Sequence, residues 1–585
     1  MSLIASAEAA VRPTGHPWAG VMPQAPTKPL PFSSSAAGWR KLCYLAAALV
    51  CILHPLRAFQ SVISDDAFIA FRYAKHLAGG MGLTWNPGDP PLEGFTSPLH
   101  VLLLSAGIRI GLDPLPLSQV LGLLGSLLAC LGASWIAREL SAEDPRAAPL
   151  AALGLSLSTP LAAWSRGGLE TALFTGLLGC AVAIWLRKNR DLGPRWLPAL
   201  LFFIATLSRP EAVLIAAVAF AFDAVSPLRS AGRGSSPLQL GGDWWLYGAL
   251  MAFYLGWKLF YFGDLLPNTY YAKAGAGLPS LKSGLIYSLR FFQAYGAVNL
   301  LLAIVPLSFF RLPRKTALSF LLCCIGLYTL HVTWIGGDYS YFGRYLVPIL
   351  PMLISLSAVG AILLWERTRG VRQVPRFGIA FMVLGASCLQ LSAGSLGEVR
   401  DRPFLLFRPW HLLDSIPAPG DPFASLFRPD YIHMGKALHD YFPPDRTVAC
   451  LAVGAIGYYS DRPILDLLGI NDRRIARLPI ETNRFESWST GHMKGSAEEV
   501  LSRRPDYALL DIRGSDTPSV DPPEAIRRKY PFVDDLLKSP RFRSEYHLES
   551  CALPDGGWMN YYRRSDAPRV SCTIRTDPAQ PPHPG

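Results

Sequence analysis

The sequence predicts a mainly α fold: a polytopic helical membrane bundle of about eleven transmembrane helices, followed by a small extracytoplasmic α/β domain. Three observations carry this. Apolar runs near the length of a bilayer-spanning helix recur from Leu42 to about Ala393. Only 17% of the 585 residues are charged, where a soluble protein carries about a quarter. From Gly394 onward, charges, prolines and short mixed-polarity segments take over.

Residues 1–38 are rich in Pro, Ala and Ser and lack the basic start, apolar core and small-residue cleavage site of a signal peptide. They read as a disordered cytoplasmic tail. Basic clusters then fix the orientation of the spans. Arg40/Lys41, Arg187–Arg195, Arg229/Arg233, Arg311–Lys315 and Arg367–Arg376 fall between apolar runs, where the positive-inside rule places cytoplasmic loops. They account for much of the net charge of +12, so no nucleic-acid partner is needed.

The first span, Leu42–Val62, leaves the cytoplasm. Ser97–Leu112 is short and ends in Asp113-Pro114, which suits an interfacial helix. Pro116–Ala137 returns, Ala147–Ala163 goes out, and Leu169–Leu186 comes back. Trp196–Leu207 and Glu211–Val225 form a short pair that turns outside at "SRPEA". Trp244–Tyr261 goes out, Val298–Phe310 in, Ala317–Trp334 out, Tyr345–Trp365 in and Phe377–Ser392 out. This register sets a membrane domain over 39–393 and a periplasmic domain over 394–573, with a disordered end at 574–585. It also places the N-terminus in the cytoplasm of a cell bounded by an inner membrane.

In the last third, "RTVACLAVGAIGYY" is a strand-like run meeting a Gly-rich turn, and "SAEEVLSRRPDYALLDI" reads as a helix followed by a buried strand. Seven of the ten cysteines lie in apolar spans as packing residues. A Cys551–Cys572 disulfide is compatible with an extracytoplasmic domain, although Cys450 makes the set there odd. No Cys/His spacing demands a metal, and the acids leave a divalent ion open.

The polar residues that abut the spans gather on the outer side. They are Asp65, Asp66, Arg72, Glu93, Arg166, Glu170, Arg209, Glu211, Asn268, Lys273, Asp338 and Arg344, from five separate segments. Ionisable groups at a membrane boundary face a cavity or one another. "SDD" is a good helix start, with Ser64 as cap, and that reading weighs evenly with catalysis. A helix from Asp65 puts Asp65, Ile69 and Arg72 on one face, with Tyr73 beside Asp66. Arg166 and Glu170 suit an intrahelical ion pair, and Tyr271 a membrane anchor.

The ordered set "DDAFIAFRYAKHLAGGMGLTWNPGDPPLEGFTSPL", "RGGLETALF", "SRPEA", "LPNTYYAK", "GGDYSYFGRYLVP" and "GAIGYYSDRPILDLLGIND" resembles the GT-C superfamily of integral membrane glycosyltransferases, in its bacterial arabinofuranosyltransferase-like branch. The resemblance covers most of Ser64–Asp511. It implies transfer of a sugar from a polyprenyl-phosphate donor to an extracytoplasmic glycan or lipid acceptor, among membrane lipids. It also implies an aspartate of the first outer loop as general base, which maps onto Asp65 or Asp66, with Asp65 preferred. Arg209, Lys273 and Arg344 become candidates for the carrier phosphate. The remaining outer residues, Arg72, Tyr73, Glu93, Glu170, Glu211, Asn268, Tyr271 and Asp338, become candidates for donor or acceptor binding. A transporter or flippase of lipid-linked sugars is the second reading. It calls for internal repeats and polar groups near mid-membrane, and neither is seen in the sequence.

Overall fold

The computed structural model describes residues 34–368 and 429–572, apart from short breaks at 60–62, 143, 189–193, 231–241, 275–276, 294–296, 309–314, 339–340, 486–490, 513 and 555. The expected span Phe377–Ser392 lies outside the described residues. The chain divides into two compact units, Met1–Leu42 and Cys43–Gly585. The second holds the helical bundle and the C-terminal domain together as one body.

Fifteen helices precede residue 369 among the described residues: α1 (Ser34–Ala58), α2 (Asp65–Ala78), α3 (Pro98–Arg109), α4 (Pro114–Leu140), α5 (Ala147–Ser156), α6 (Thr159–Arg166), α7 (Thr171–Lys188), α8 (Leu197–Ser208), α9 (Ala212–Ser230), α10 (Gly242–Phe262), α11 (Asn268–Lys273), α12 (Leu278–Phe291), α13 (Ala297–Ser308), α14 (Lys315–Trp334) and α15 (Leu350–Thr368). Five described helical segments are long and apolar enough to cross a membrane. A sixth crossing arises if α5 and α6, bent by 57°, count as one broken span. The protein is an integral membrane protein. The segment expected as an interfacial helix forms α3, 12 residues long and too short to count among these spans.

Helices in lipid gain nothing from the hydrophobic effect when they pair, so close backbone approach carries the packing. The seam between α4 and α7 shows this. A side chain at Gly125 would enter the backbone at Leu173, and one at Gly132 would lie 2.7 Å from the Gly179 carbonyl carbon. At the end of the bundle remote from the C-terminal domain, Asp223 accepts from Trp185 (3.2 Å), Trp244 (2.9 Å) and Lys188 (3.3 Å). Arg146 bridges Asp144 and Glu366 there, at 2.7 Å each.

The C-terminal domain adds α16 (Pro429–Tyr441), α17 (Gly454–Ser460), α18 (Arg473–Ala476), α19 (Ala497–Arg503), α20 (Glu524–Lys529), α21 (Pro531–Lys538) and α22 (Pro540–Glu545). Its five-stranded sheet comprises β1 (Val448–Cys450), β2 (Ile464–Asp466), β3 (Tyr507–Leu509), β4 (Tyr546–Ala552) and β5 (Trp558–Arg564), in the order β2-β1-β3-β5-β4. β1 pairs parallel with β2 and β3, while β5 runs antiparallel to β3 and β4. The two expected strand runs are β1 and β3, and "SAEEVLSR" supplies α19. Cys551 and Cys572 form a disulfide, with Cα atoms 5.3 Å apart.

Candidate active site

α2 starts where the chain leaves the first helix. The Ser64 amide donates to the Gly167 carbonyl at 3.0 Å, and His100 contacts the Gly168 carbonyl at 3.2 Å. Gly168 holds φ +79°, and a Cβ there would press on Ala67 at 2.8 Å. The "RGGLE" turn therefore fits against the start of α2 and brings Glu170 to a cavity that Asp66 also lines. Residues 341–349 form an irregular helical segment that delivers Arg344 and Tyr345 to the same place.

Two adjoining cavities result, and Asp66 lines both. The smaller, about 70 Å³, lies among Asp66, Glu170, Arg209, Lys273, Arg344 and Tyr345. The larger, about 150 Å³, lies between Asp65 and Asp66 on one wall and Tyr431, Val453, Asp466 and His492 of the C-terminal domain on the other. Leu451, Leu468 and Ile512, just beyond the C-terminal ends of β1, β2 and β3, also face it. In parallel sheets, that is where ligand crevices form.

Arg344 donates to Asp66 at 3.1 Å and pairs with Asp338 at 2.7 Å. Lys273 donates to the Tyr345 hydroxyl at 3.1 Å. The guanidinium carbons of Arg209 and Arg344 lie 5.0 and 5.1 Å from the centre of the Tyr345 ring. Burial raises the Asp66 carboxyl, but Arg344, Lys273 and His492 outweigh it and hold Asp66 below the usual range. Asp65 differs. Its carboxylate accepts from the amides of Ala455 (2.8 Å) and Gly454 (3.2 Å). Burial still pushes it up to about 7, helped by the neighbouring charges of Asp66 and Asp430. Asp466 accepts three amides in the 468–471 turn, and burial pushes it up to about 6.

Of the residues singled out in the sequence, Asp65, Asp66, Glu170, Arg209, Lys273 and Arg344 line the two cavities. The others do not line them. Arg209 is itself committed: it is buried between Glu170 (2.6 Å) and Glu211 (2.7 Å). Glu93 pairs with Lys258 at 2.7 Å, both buried. Arg72, 2% exposed, donates to the carbonyls of Trp85 (2.8 Å), Arg462 (2.9 Å) and Gly457. Tyr73 donates to Asn471 at 3.2 Å. Asn268 donates to the carbonyls of Gly469 and Ile470 at 2.9 Å each, and Tyr271 lies under Arg477 at 4.2 Å. These last four residues hold the C-terminal domain to the bundle. Among the described residues, no group of three or more His, Cys, Asp or Glu side chains could hold a metal ion.

A domain family described as one of unknown function, DUF8728, matches residues 425–566. No curated protein matches the sequence. Among solved structures, the oligosaccharyltransferase of Archaeoglobus fulgidus tethered to an acceptor peptide containing the NVT sequon is 15% identical, with a TM-score of 0.54. That match covers 91% of this chain and 74% of the other. The same organism's AglB, in complex with an inhibitory peptide and a dolichol-phosphate, gives 13% and 0.51, covering 92% and 75%. ArnT from Cupriavidus metallidurans gives 14% and 0.49, covering 76% and 90%. The chain has the GT-C fold.

Within this GT-C fold, four site residues carry little signal in the sequence. Tyr345 directly follows Arg344 in "GGDYSYFGRYLVP", and Asp466 lies in "ILDLLGIND". Gly454 opens "GAIGYY", whose glycines signal only a turn. His492 has no local signal, because a lone histidine in a polar loop looks like any other.

Proposed function

We propose that the protein is a membrane glycosyltransferase. It moves a pentose or hexose from a polyprenyl-phosphate donor to a hydroxyl of an extracytoplasmic glycan or lipid, with inversion. The observation that carries this is the paired cavity: a carboxylate raised to about 7 in one chamber and cations in the chamber beside it. Of the oligosaccharyltransferases that share the fold, one is tethered to an acceptor peptide and one is in complex with a dolichol-phosphate, which supports a lipid-phosphate donor here. The motifs resemble the arabinofuranosyltransferase-like branch, which supports an arabinofuranosyl donor. The orientation reasoned from the basic loops puts the site at the outer face of a bacterial inner membrane.

The chemistry follows from placement. An in-line displacement needs base and leaving group on opposite sides of the anomeric carbon. The carrier phosphate sits against Lys273 and Arg344 in the smaller chamber, where the Tyr345 hydroxyl, already accepting from Lys273, can donate its own proton. The acceptor enters the larger chamber, and Asp65, which lines only that one, takes its hydroxyl proton. The acceptor oxygen bonds to the anomeric carbon as the bond from that carbon to the phosphate oxygen breaks. The polyprenyl phosphate leaves with its charge offset chiefly by Lys273, while Arg344 beside it shares its guanidinium with Asp66 and Asp338. Asp66, paired with Arg344, keeps the guanidinium aimed at the chamber. A flippase would need its polar groups near mid-membrane, whereas these acids and cations gather at one end.

The test is transfer in proteoliposomes from synthetic farnesyl-phosphoryl pentoses and hexoses, followed by mass spectrometry of added envelope glycolipids. The wild-type chain is expected to release farnesyl phosphate with a rate that rises through pH 7, as Asp65 loses its proton. Asp65→Asn is expected to lower the rate about 10²–10⁴-fold. Undiminished transfer by Asp65→Asn overturns the assignment of the base. Passage of intact donor across the bilayer without sugar transfer overturns the enzyme reading.

A further inference from the structure

We propose that the C-terminal domain takes part in catalysis by holding the general base, with Gly454 as the positioning residue. This rests on the transferase reading for its chemistry, but the contact itself stands on geometry. Ser64 is the N-cap of α2, and an acid in a helix's first turn ordinarily serves the positive end of its own helix. Asp65 opens α2 and instead sends its carboxylate into the other domain, to the amides of Gly454 (3.2 Å) and Ala455 (2.8 Å). These donors lie 389 and 390 residues along the chain.

The contact is built for close approach. A Cβ on Gly454 would run into the Asp65 main-chain oxygen and come within 2.6 Å of its carboxyl carbon. No residue but glycine fits there without moving the carboxylate. The same two helices touch again one turn on, where the Phe68 ring lies 5.7 and 5.5 Å from those of Tyr458 and Tyr459. They touch a third time where Lys75 meets Asp461 at 2.6 Å. Three contacts along α2 and α17 fix their relative position, and the first of them fixes the base.

The two amides also set how easily Asp65 takes a proton. Burial and the charges of Asp66 and Asp430 push its carboxyl up, while the two amides pull it down. Across the larger chamber it also faces Asp466, His492 and Lys529. Losing the amides removes stabilisation of the charged form alone, so the carboxyl titrates at higher pH.

The full chain in nanodiscs, with ¹³C-labelled aspartate carboxyls, gives the test by infrared titration, and Asp65→Asn identifies the band. Gly454→Ala is expected to move the Asp65 titration about one pH unit upward. Ala455→Pro, which removes the closer N–H at a first-turn position that tolerates proline, is expected to do the same. Lys75→Ala, which loosens the far end of the contact, is expected to leave the titration in place. The alkaline shift should reappear in the pH–rate profile of farnesyl-phosphoryl pentose transfer, with kcat lowered at pH 7 and KM little changed. A shifted titration in a chain whose wild type transfers no sugar upholds the positioning and overturns the transferase reading. Wild-type titration in both Gly454→Ala and Ala455→Pro, with melting unchanged, overturns the positioning.

Discussion

Arg209 and Lys273 look alike in the sequence as phosphate ligands, and the structure separates them. Arg209 gives its guanidinium to two buried carboxylates, Glu170 and Glu211, so little of its charge is left for a ligand. Removing one partner of such a network strands the others without compensation, at a cost of about 3–5 kcal/mol. Arg209→Met is therefore expected to lower the midpoint of thermal unfolding in detergent by several degrees. Lys273→Met should leave that midpoint nearly unchanged and raise KM for the farnesyl-phosphoryl donor about tenfold, roughly 1.4 kcal/mol. The aspartates and the basic residues were legible because charge beside an apolar span is rare and costly. The roles of Arg72 and Tyr73 were not, because their partners Gly457, Arg462 and Asn471 lie nearly 400 residues away in the chain. Local spacing holds no trace of such a contact.

At the scale of elements, the C-terminal domain is held to the bundle by short segments rather than by helix pairing alone. Asn86 meets Ile464 of edge strand β2 like an added strand, accepting its amide at 2.8 Å and donating to its carbonyl at 3.1 Å. Asn268 bonds the 469–472 turn from α11. Asn268→Ala leaves those carbonyls short of a donor, at about 1–3 kcal/mol. Faster amide hydrogen exchange across residues 466–476, with exchange in α4 and α7 unchanged, is the expected result. Periodicity made the long helices and the strands β1 and β3 legible. It could not show the α4–α7 glycine seam as a packing device, since glycine in a membrane helix has several uses. Nor could it show α17, where a helix of seven residues begins inside what reads as a turn.

For the whole molecule, the sequence supplied the mainly helical class with several apolar spans and the expectation that charged loop residues meet. The structure adds that bundle and C-terminal domain form one body, with the larger cavity between them. The proposed orientation puts that domain in an oxidising compartment, where the Cys551–Cys572 disulfide persists. Reduction is expected to lower the domain's stability by about 2–4 kcal/mol. In sealed right-side-out vesicles, a membrane-impermeant maleimide should label these cysteines only after reductant is added outside. Labelling that requires permeabilised vesicles would reverse the orientation.

The most direct measurement of the central claim is a cryo-EM structure of the full chain in nanodiscs with a polyprenyl phosphate bound. The phosphate is expected in the smaller chamber, within hydrogen-bond reach of Lys273 and Arg344, with the Asp65 carboxylate across the adjoining cavity. A phosphate seated at the basic end of the bundle, or anywhere that leaves Asp65 facing no bound group, would contradict the account.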